Sequence, residues 1–161
     1  MVIIKRTTCE DPHFQQLVQE LNKDLWVRYP ETQHLYEGYN IITGIDTVVL
    51  AYNEEEPVGC GCFKPYDAQT VEIKRMYVQP KVRGQGIAYK VLYELEQWAA
   101  ELGYCYIVLE TAIRQPEAIH LYEKSGYTII SNYPPYDVDE KKDLSICYRK
   151  DLQPTPKPEQ V

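Results

Sequence analysis

No stretch of the 161-residue chain approaches the roughly 20 consecutive apolar residues that a membrane span requires. The start, Met1-Val2-Ile3-Ile4-Lys5-Arg6, reads as a strand and not as a secretory leader, so a cytoplasmic protein with no membrane partner is expected. CxxC pairs are also missing. The five cysteines, Cys9, Cys60, Cys62, Cys105 and Cys147, are odd in number, and Cys60-x-Cys62 would project both thiols from one face of a strand, a poor metal site. Reduced thiols are expected. His13, His34 and His120 have no metal-ligand spacing with cysteine or carboxylate, so no metal is predicted. Positive charge is scarce: 17 Lys and Arg against 24 Asp and Glu leave a formal net charge of −7. That balance argues against nucleic acid, whose binding relies on surplus cations, and suits a cationic partner better.

What the chain does have is a core. Apolar residues make up 44% and aromatic residues 12%, including fifteen Tyr, enough for one sizeable core but not for two comfortable domains. A single domain over 1–151 is expected, followed by a Pro-rich mobile tail over 152–161.

Periodicity then orders the elements. Residues 2–7 read as a strand, and Phe14, Leu17, Val18 and Leu21 recur with helical spacing after Asp11-Pro12. A second, broken helical segment is expected from Asp24 to Gly38 around Pro30. Strands at 47–52 and 57–63 flank Asn53-Glu54-Glu55-Glu56, a polar hairpin turn. Residues 70–78 alternate Val71, Ile73, Arg75 and Tyr77 with Glu72, Lys74, Met76 and Val78. An amphipathic helix follows over 87–102 with Gly103 as its stop, then a buried strand over 104–109, a unit that places two parallel strands in one sheet. Pro116 and Gly126 bracket a helix over 117–124, and strands close the pattern at 127–130 and 144–148.

The loop Lys81-Val82-Arg83-Gly84-Gln85-Gly86 joins a strand to a helix and holds two glycines and two cations. A helix N-terminus presents N–H groups and partial positive charge, and glycines let a diphosphate approach the backbone, although a Gly-rich turn also serves simply as a tight connection. A nucleotide P-loop is excluded because no Gly-Lys-Ser/Thr follows. The dinucleotide fingerprint is a closer rival, with Glu110 at about the right distance for a ribose, but Ala88-Tyr89 supplies no third glycine.

These residues resemble the GNAT superfamily of acetyl-CoA-dependent N-acetyltransferases, whose pyrophosphate motif is Gln/Arg-x-x-Gly-x-Gly/Ala, with Lys81 in place of the usual first residue. The similarity extends over Glu72-Ile73-Lys74-Arg75-Met76-Tyr77-Val78 and over Glu117-Ala118-Ile119-His120-Leu121-Tyr122-Glu123-Lys124-Ser125-Gly126-Tyr127, about 71–130 in all. It implies a mixed α/β fold: a mostly antiparallel sheet of six to seven strands, about four flanking helices, and a bulged central strand splayed from its parallel neighbour. It also implies that backbone at Tyr77 and Val78 binds the pantetheine arm, and that N–H groups of Arg83, Gly84, Gln85, Gly86, Ile87 and Ala88 hold the pyrophosphate. Gln115 stands where many relatives place an Asn near the pantetheine.

By the same resemblance the reaction is direct attack of an amine through a tetrahedral intermediate, with Tyr122 as acid for the leaving thiolate and Glu72 as base. Each has another reading: Tyr122 sits at an apolar helical position, and Glu72 fits an alternating strand with Lys74 as its partner. Glu110 is an alternative base, Tyr136 a remoter one, and His120 is expected to be exposed. The oxyanion is expected to meet backbone N–H near Tyr77. Acceptor selection is expected from the loops over 26–44 and 133–142, with Trp26, Tyr29, Tyr36, Tyr133 and Tyr136 as aromatic lining and Glu31, Glu37, Asp137 and Asp139 as acids. The acceptor is a small-molecule or peptide amine, and a homodimer is compatible with the family. A non-catalytic acyl-CoA sensor and a dinucleotide-binding module stay open as alternatives.

Overall fold

Strand β1, Val2–Thr7, leads into helix α1, Pro12–Arg28, through an N-cap at Asp11. Asp11 Oδ1 accepts the His13 N–H at 2.9 Å and Oδ2 accepts the Thr7 hydroxyl at 2.9 Å, while Pro12 stands at the first helical position, where its missing N–H loses nothing. The helix runs without a break through Asp24, contrary to the expected interruption there. Arg28 and Asp24 form an i,i+4 ion pair at 3.4 Å, and the helix stops at Tyr29, before Pro30. The computed structural model describes residues 1–30, 43–139, 141 and 143–154, so the expected helical segment beyond Pro30 and the tail from 155 lie outside the described residues, as do Glu31, Tyr36 and Glu37.

The remaining elements are β2 (Val48–Asn53), β3 (Glu56–Pro65), β4 (Thr70–Val78), a 3-10 turn at Pro80–Val82, α2 (Ile87–Glu101), β5 (Tyr106–Ala112), α3 (Pro116–Lys124), β6 (Thr128–Ile130) and β7 (Ser145–Asp151). Hydrogen bonding orders the seven strands β1-β2-β3-β4-β5-β7-β6, mostly antiparallel, with β4 and β5 parallel at Thr70↔Tyr106, Val71↔Ile107 and Glu72↔Val108. Three α-helices occur among the described residues, where about four were expected. The β2–β3 hairpin turns on Glu54 and Glu55, both left-handed at φ 51° and 68°, the handedness that suits a two-residue hairpin turn.

The chain forms two compact units: the described residues of Met1–Lys64 with Lys74–Leu95, and Pro65–Ile73 with the described residues from Glu96 onward. In the first, Phe14, Leu17, Val18 and Leu21 of α1 pack with Val48, Leu50, Cys60, Cys62 and Tyr77. The other face of β3 meets the start of α2 through Gly59 and Gly61. A Cβ on Gly61 would lie 2.5 Å from Met76 Sδ and 2.9 Å from Leu95 Cδ1, so glycine is what lets this helix approach the strand. In the second unit, β7 pairs with β5 from Tyr106↔Asp151 to Ala112↔Ser145, and its buried Tyr148 stacks against Tyr122 of α3 with ring centroids 6.0 Å apart.

Strict alternation along β4 fails at Arg75, which takes a left-handed φ of 59°. Such a conformation costs about 1–3 kcal/mol for a residue with a side chain. Arg75 is 7% exposed; its Nη2 donates to Asn22 Oδ1 of α1, and among the described residues its Nε finds no partner. A buried donor left unmet costs a further ~1–3 kcal/mol. Burial lowers the guanidinium's proton affinity, yet an arginine remains a cation at neutral pH.

The Asp11 cap gives the first test. Burial raises its carboxyl, but the His13 N–H, the Thr7 hydroxyl and the Lys5 ammonium at 3.8 Å together hold it below the ordinary value. A depressed folded-state value means that this stabilisation is full above about pH 4 and is lost as pH falls through the folded value. Asp11→Ala is expected to lower unfolding free energy by about 1 kcal/mol at pH 7, and in urea melts the difference from wild type should shrink as pH falls below 4.

Candidate active site

In the first unit the chain leaves β4 at Val78 and makes one tight turn before α2. Gln79 N–H donates to Val58 O at 2.9 Å, Val82 N–H to Gln79 O at 3.1 Å and Arg83 N–H to Pro80 O at 3.3 Å. The Arg83 side chain folds back, donating from Nε to Val78 O at 2.9 Å and lying over the Tyr77 ring at 5.9 Å. Lys81 pairs with Glu56 at 2.7 Å. Both cations of the loop thus have a protein partner, although both side chains are exposed. Gly84 and Gly86 have φ of +82° and +79°, and a Cβ on either would meet nothing within 4 Å. The first intrahelical bond at this end, Lys90 N–H to Gly86 O at 3.2 Å, comes after Ile87 and Ala88, whose N–H groups belong to the helix's first turn. Handedness demands glycine here, and the space beside both is open, which fits a diphosphate laid across the helix N-terminus.

The second unit collects the carboxylates. Register places Glu72 with Val108, Glu110 and Cys147 on one face, because Glu72 opposes Val108 on β5 and Glu110 opposes Cys147 on β7. Tyr133 and Tyr136, from the chain between β6 and β7, lie on this face. Tyr133 donates its phenol to Glu72 Oε2 at 2.8 Å, and Tyr136 is also hydrogen bonded to Glu72. The Tyr133 ring meets Tyr66 and Tyr136 edge-on at 5.2 and 5.4 Å, while Asn132 Nδ2 pins the loop to Tyr136 O at 3.1 Å and Ser145 O at 3.3 Å. Burial first, and the charge on Glu72 second, raise both phenols above their ordinary value, so they stay protonated donors. Glu72 itself is 3% exposed.

Tyr122 occupies the opposite face. Its ring packs edge-on against Tyr127 at 5.7 Å and against Tyr148, which adjoins Cys147 and so points the other way. Tyr127 is anchored by its hydroxyl to Glu96 at 2.8 Å, and Lys150 meets the same carboxylate at 3.1 Å. Burial and then the charge of Glu110 raise the Tyr122 phenol, which keeps its proton at neutral pH. Gln115 caps α3 by position, its Oε1 accepting from Thr111 Oγ1 at 3.1 Å. His120 is exposed.

Sequence reasoning had Tyr133 only as an aromatic in a loop and Tyr136 as a remote base. Both are donors to Glu72, across 61 and 64 positions of chain, a pairing that no local pattern encodes. Arg75 did leave a trace: Glu72, Lys74 and Arg75 cannot all leave a regular strand on one face, and adjacent Lys74 and Arg75 are both buried. Among the described residues no group of three or more His, Cys, Asp or Glu is placed to hold a metal, and no helix is long and apolar enough to cross a membrane.

Residues 14–127 match the model of the acetyltransferase (GNAT) family. The chain is 32% identical over 139 residues to an IAA acetyltransferase of Azospirillum brasilense, covering 85% of this chain and 89% of that protein. Its fold is similar to that of a provisionally assigned acyl-CoA N-acyltransferase of Klebsiella pneumoniae, with a TM-score of 0.75 and 29% identity over 94% of this chain and 98% of the other. It is also similar to a GNAT family acetyltransferase of Elizabethkingia anophelis solved with acetyl-CoA bound, with a TM-score of 0.67 and 25% identity over 94% and 98% of the two chains. The protein belongs to the GNAT acetyltransferase family and is an acyltransferase.

Thiol chemistry offers a check on these environments. Cys60, Cys62 and Cys147 are buried, and burial pushes the thiols of Cys62 and Cys147 up to about 12. Iodoacetamide at pH 8 should label Cys9 and Cys105, which are partly exposed, well before the other three, as read by peptide mass spectrometry.

Proposed function

We propose that this enzyme transfers the acetyl group of acetyl-CoA to a primary amine, carried by a small molecule or a protein, by direct attack. The observation that carries the reading is the pair of left-handed glycines, Gly84 and Gly86, beside open space at the N-terminus of α2. Acetyl-CoA supplies the activated acetyl thioester. Backbone N–H groups of Gly84, Gln85, Gly86, Ile87 and Ala88 hold its pyrophosphate at the positive end of the helix, and the Arg83 N–H joins them only by giving up its 3.3 Å bond to Pro80 O. Tyr77 and Val78 bond the pantetheine arm through their backbone, and Gln115 contacts it from α3.

Glu72 accepts the proton released by the attacking amine. Two tyrosine hydroxyls bond its carboxylate and so orient it. As the C–N bond forms and the C–S bond breaks, Tyr122 donates its phenolic proton to the departing thiolate; burial keeps that proton on the phenol until then and makes it a weaker acid, so donation has to be driven by the charge developing on sulfur. Glu110 shares the face of Glu72 and is the second choice as base. We infer further that residues 1–151 act as one acetyltransferase domain.

Thiol release measured over a panel of amines, polyamines, amino acids and peptides tests the reaction. Tyr122→Phe should lower kcat by roughly 100-fold while leaving acetyl-CoA affinity nearly intact; an unchanged kcat removes Tyr122 as the acid. Gly84→Asp should abolish acetyl-CoA binding in calorimetry, because an L side chain at φ +82° is strained and its charge repels the diphosphate. Tight acetyl-CoA binding without thiol release across the panel would instead favour an acyl-CoA sensor, and selective NAD binding would favour a dinucleotide module.

A further inference from the structure

Arg75 is a buried cation, and among the described residues no carboxylate is hydrogen bonded to its guanidinium. Helix α1 covers it, yet the side chain that α1 presents to its guanidinium is the neutral Asn22. The acids on the same helix are engaged elsewhere: Glu20 accepts both bonds from Gln79 Nε2 at 3.1 and 3.2 Å, and Asp24 pairs with Arg28 at 3.4 Å. The strand neighbours that face Arg75 are Cys60 and Cys62. Their thiols are wholly buried and stay protonated at neutral pH, donating to the carbonyls of Arg75 and Lys74 at 3.4 and 3.3 Å. Among the described residues, the buried Nε–H of Arg75 has no acceptor.

A residue placed only to fill space would not be an arginine. Nor would a structural arginine ordinarily forgo a carboxylate, since buried charges are paired as a rule. Arg75 also sits at the one left-handed residue of β4, and strain of this kind collects where a ligand is held. A small carboxylate that accepts from Nε would meet the orphaned donor and balance the charge in a single contact, and the planar fork of a guanidinium is shaped for that partner.

We propose that Arg75 binds the carboxylate of the acetyl acceptor, and that the acceptor is therefore an amino acid or another compact amino-carboxylate. This rests on the acetyl-transfer reading above. Arg75 acts in specificity: it holds the acceptor's anionic end and takes no part in proton transfer.

The test compares matched acceptors that differ only in the carboxylate: phenylalanine with phenethylamine, tryptophan with tryptamine, lysine with cadaverine. Wild type should favour the amino acid of at least one pair by roughly 100-fold in kcat/KM, mostly through KM. Arg75→Gln should bring that ratio close to one. Arg75→Lys keeps the charge without the fork and should recover only part of the preference, which also serves if the Gln variant does not fold. Asn22→Asp offers an internal carboxylate to the same guanidinium, so it should raise the thermal midpoint and reduce the preference together. A wild-type ratio at or below one for every pair, or a ratio that neither Arg75→Lys nor Asn22→Asp moves, overturns the proposal. If no acceptor is acetylated, calorimetric titration with the same amino acids decides the matter: binding lost in Arg75→Lys supports the site, and no binding by wild type rejects it. Failure of the acetyl-transfer reading is seen separately, as absence of acetyl-CoA binding by the wild-type protein.

Discussion

Strand β4 has to serve two packing environments with nine residues. Its first four belong to the unit that holds β5, β7 and α3, and there they pair in parallel with β5 only through Glu72. The last five belong with α1, β3 and the start of α2, where Met76 and Tyr77 fill opposite sides of the layer. A regular strand would carry one alternation from end to end. The left-handed turn of the backbone at Arg75 interrupts it.

Charge is arranged locally against the overall balance. The chain is acidic, with a net charge of −7, yet the cations of the loop before α2 are tied to Glu56 and to the end of β4. On the reading proposed above, an anion would meet the peptide dipoles at the N-terminus of a 15-residue helix, which lose no rotamer entropy on binding. The carboxylates are treated differently. Glu72 is buried and surrounded by phenols, so its charge is carried by hydrogen bonds from a loop pinned at Asn132.

Much of this was legible in one dimension. Strand β4 lies over the residues that its alternation marked, and α3 begins at Pro116 and is followed by Gly126 with φ +89°, because capping residues act within a few positions of the helix they bound. Boundaries set by distant partners were read less well. Strand β5 begins at Tyr106 and runs on to Ala112 because β7 supplies a partner at each step, and Ser145–Asp151 is likewise longer than its apolar core. The break expected at Asp24 did not occur, since the Asp24–Arg28 pair and a buried apolar stripe carry α1 on to the residue before Tyr29. The donors to Glu72 had no signature, because they lie 61 and 64 positions from it and no local pattern spans that separation.

The glycines at 84 and 86 are best understood through mirror symmetry. At φ near +80° with empty space where Cβ would stand, each occupies a conformation natural to a D-amino acid. L-Alanine would be strained there by its chirality and not by its volume. A semisynthetic chain carrying D-alanine at either place would keep the backbone of the loop while lining it with methyl groups. The distinction separates two functions that glycine ordinarily merges: one is to let the chain turn, and the other is to leave room for what the turn receives.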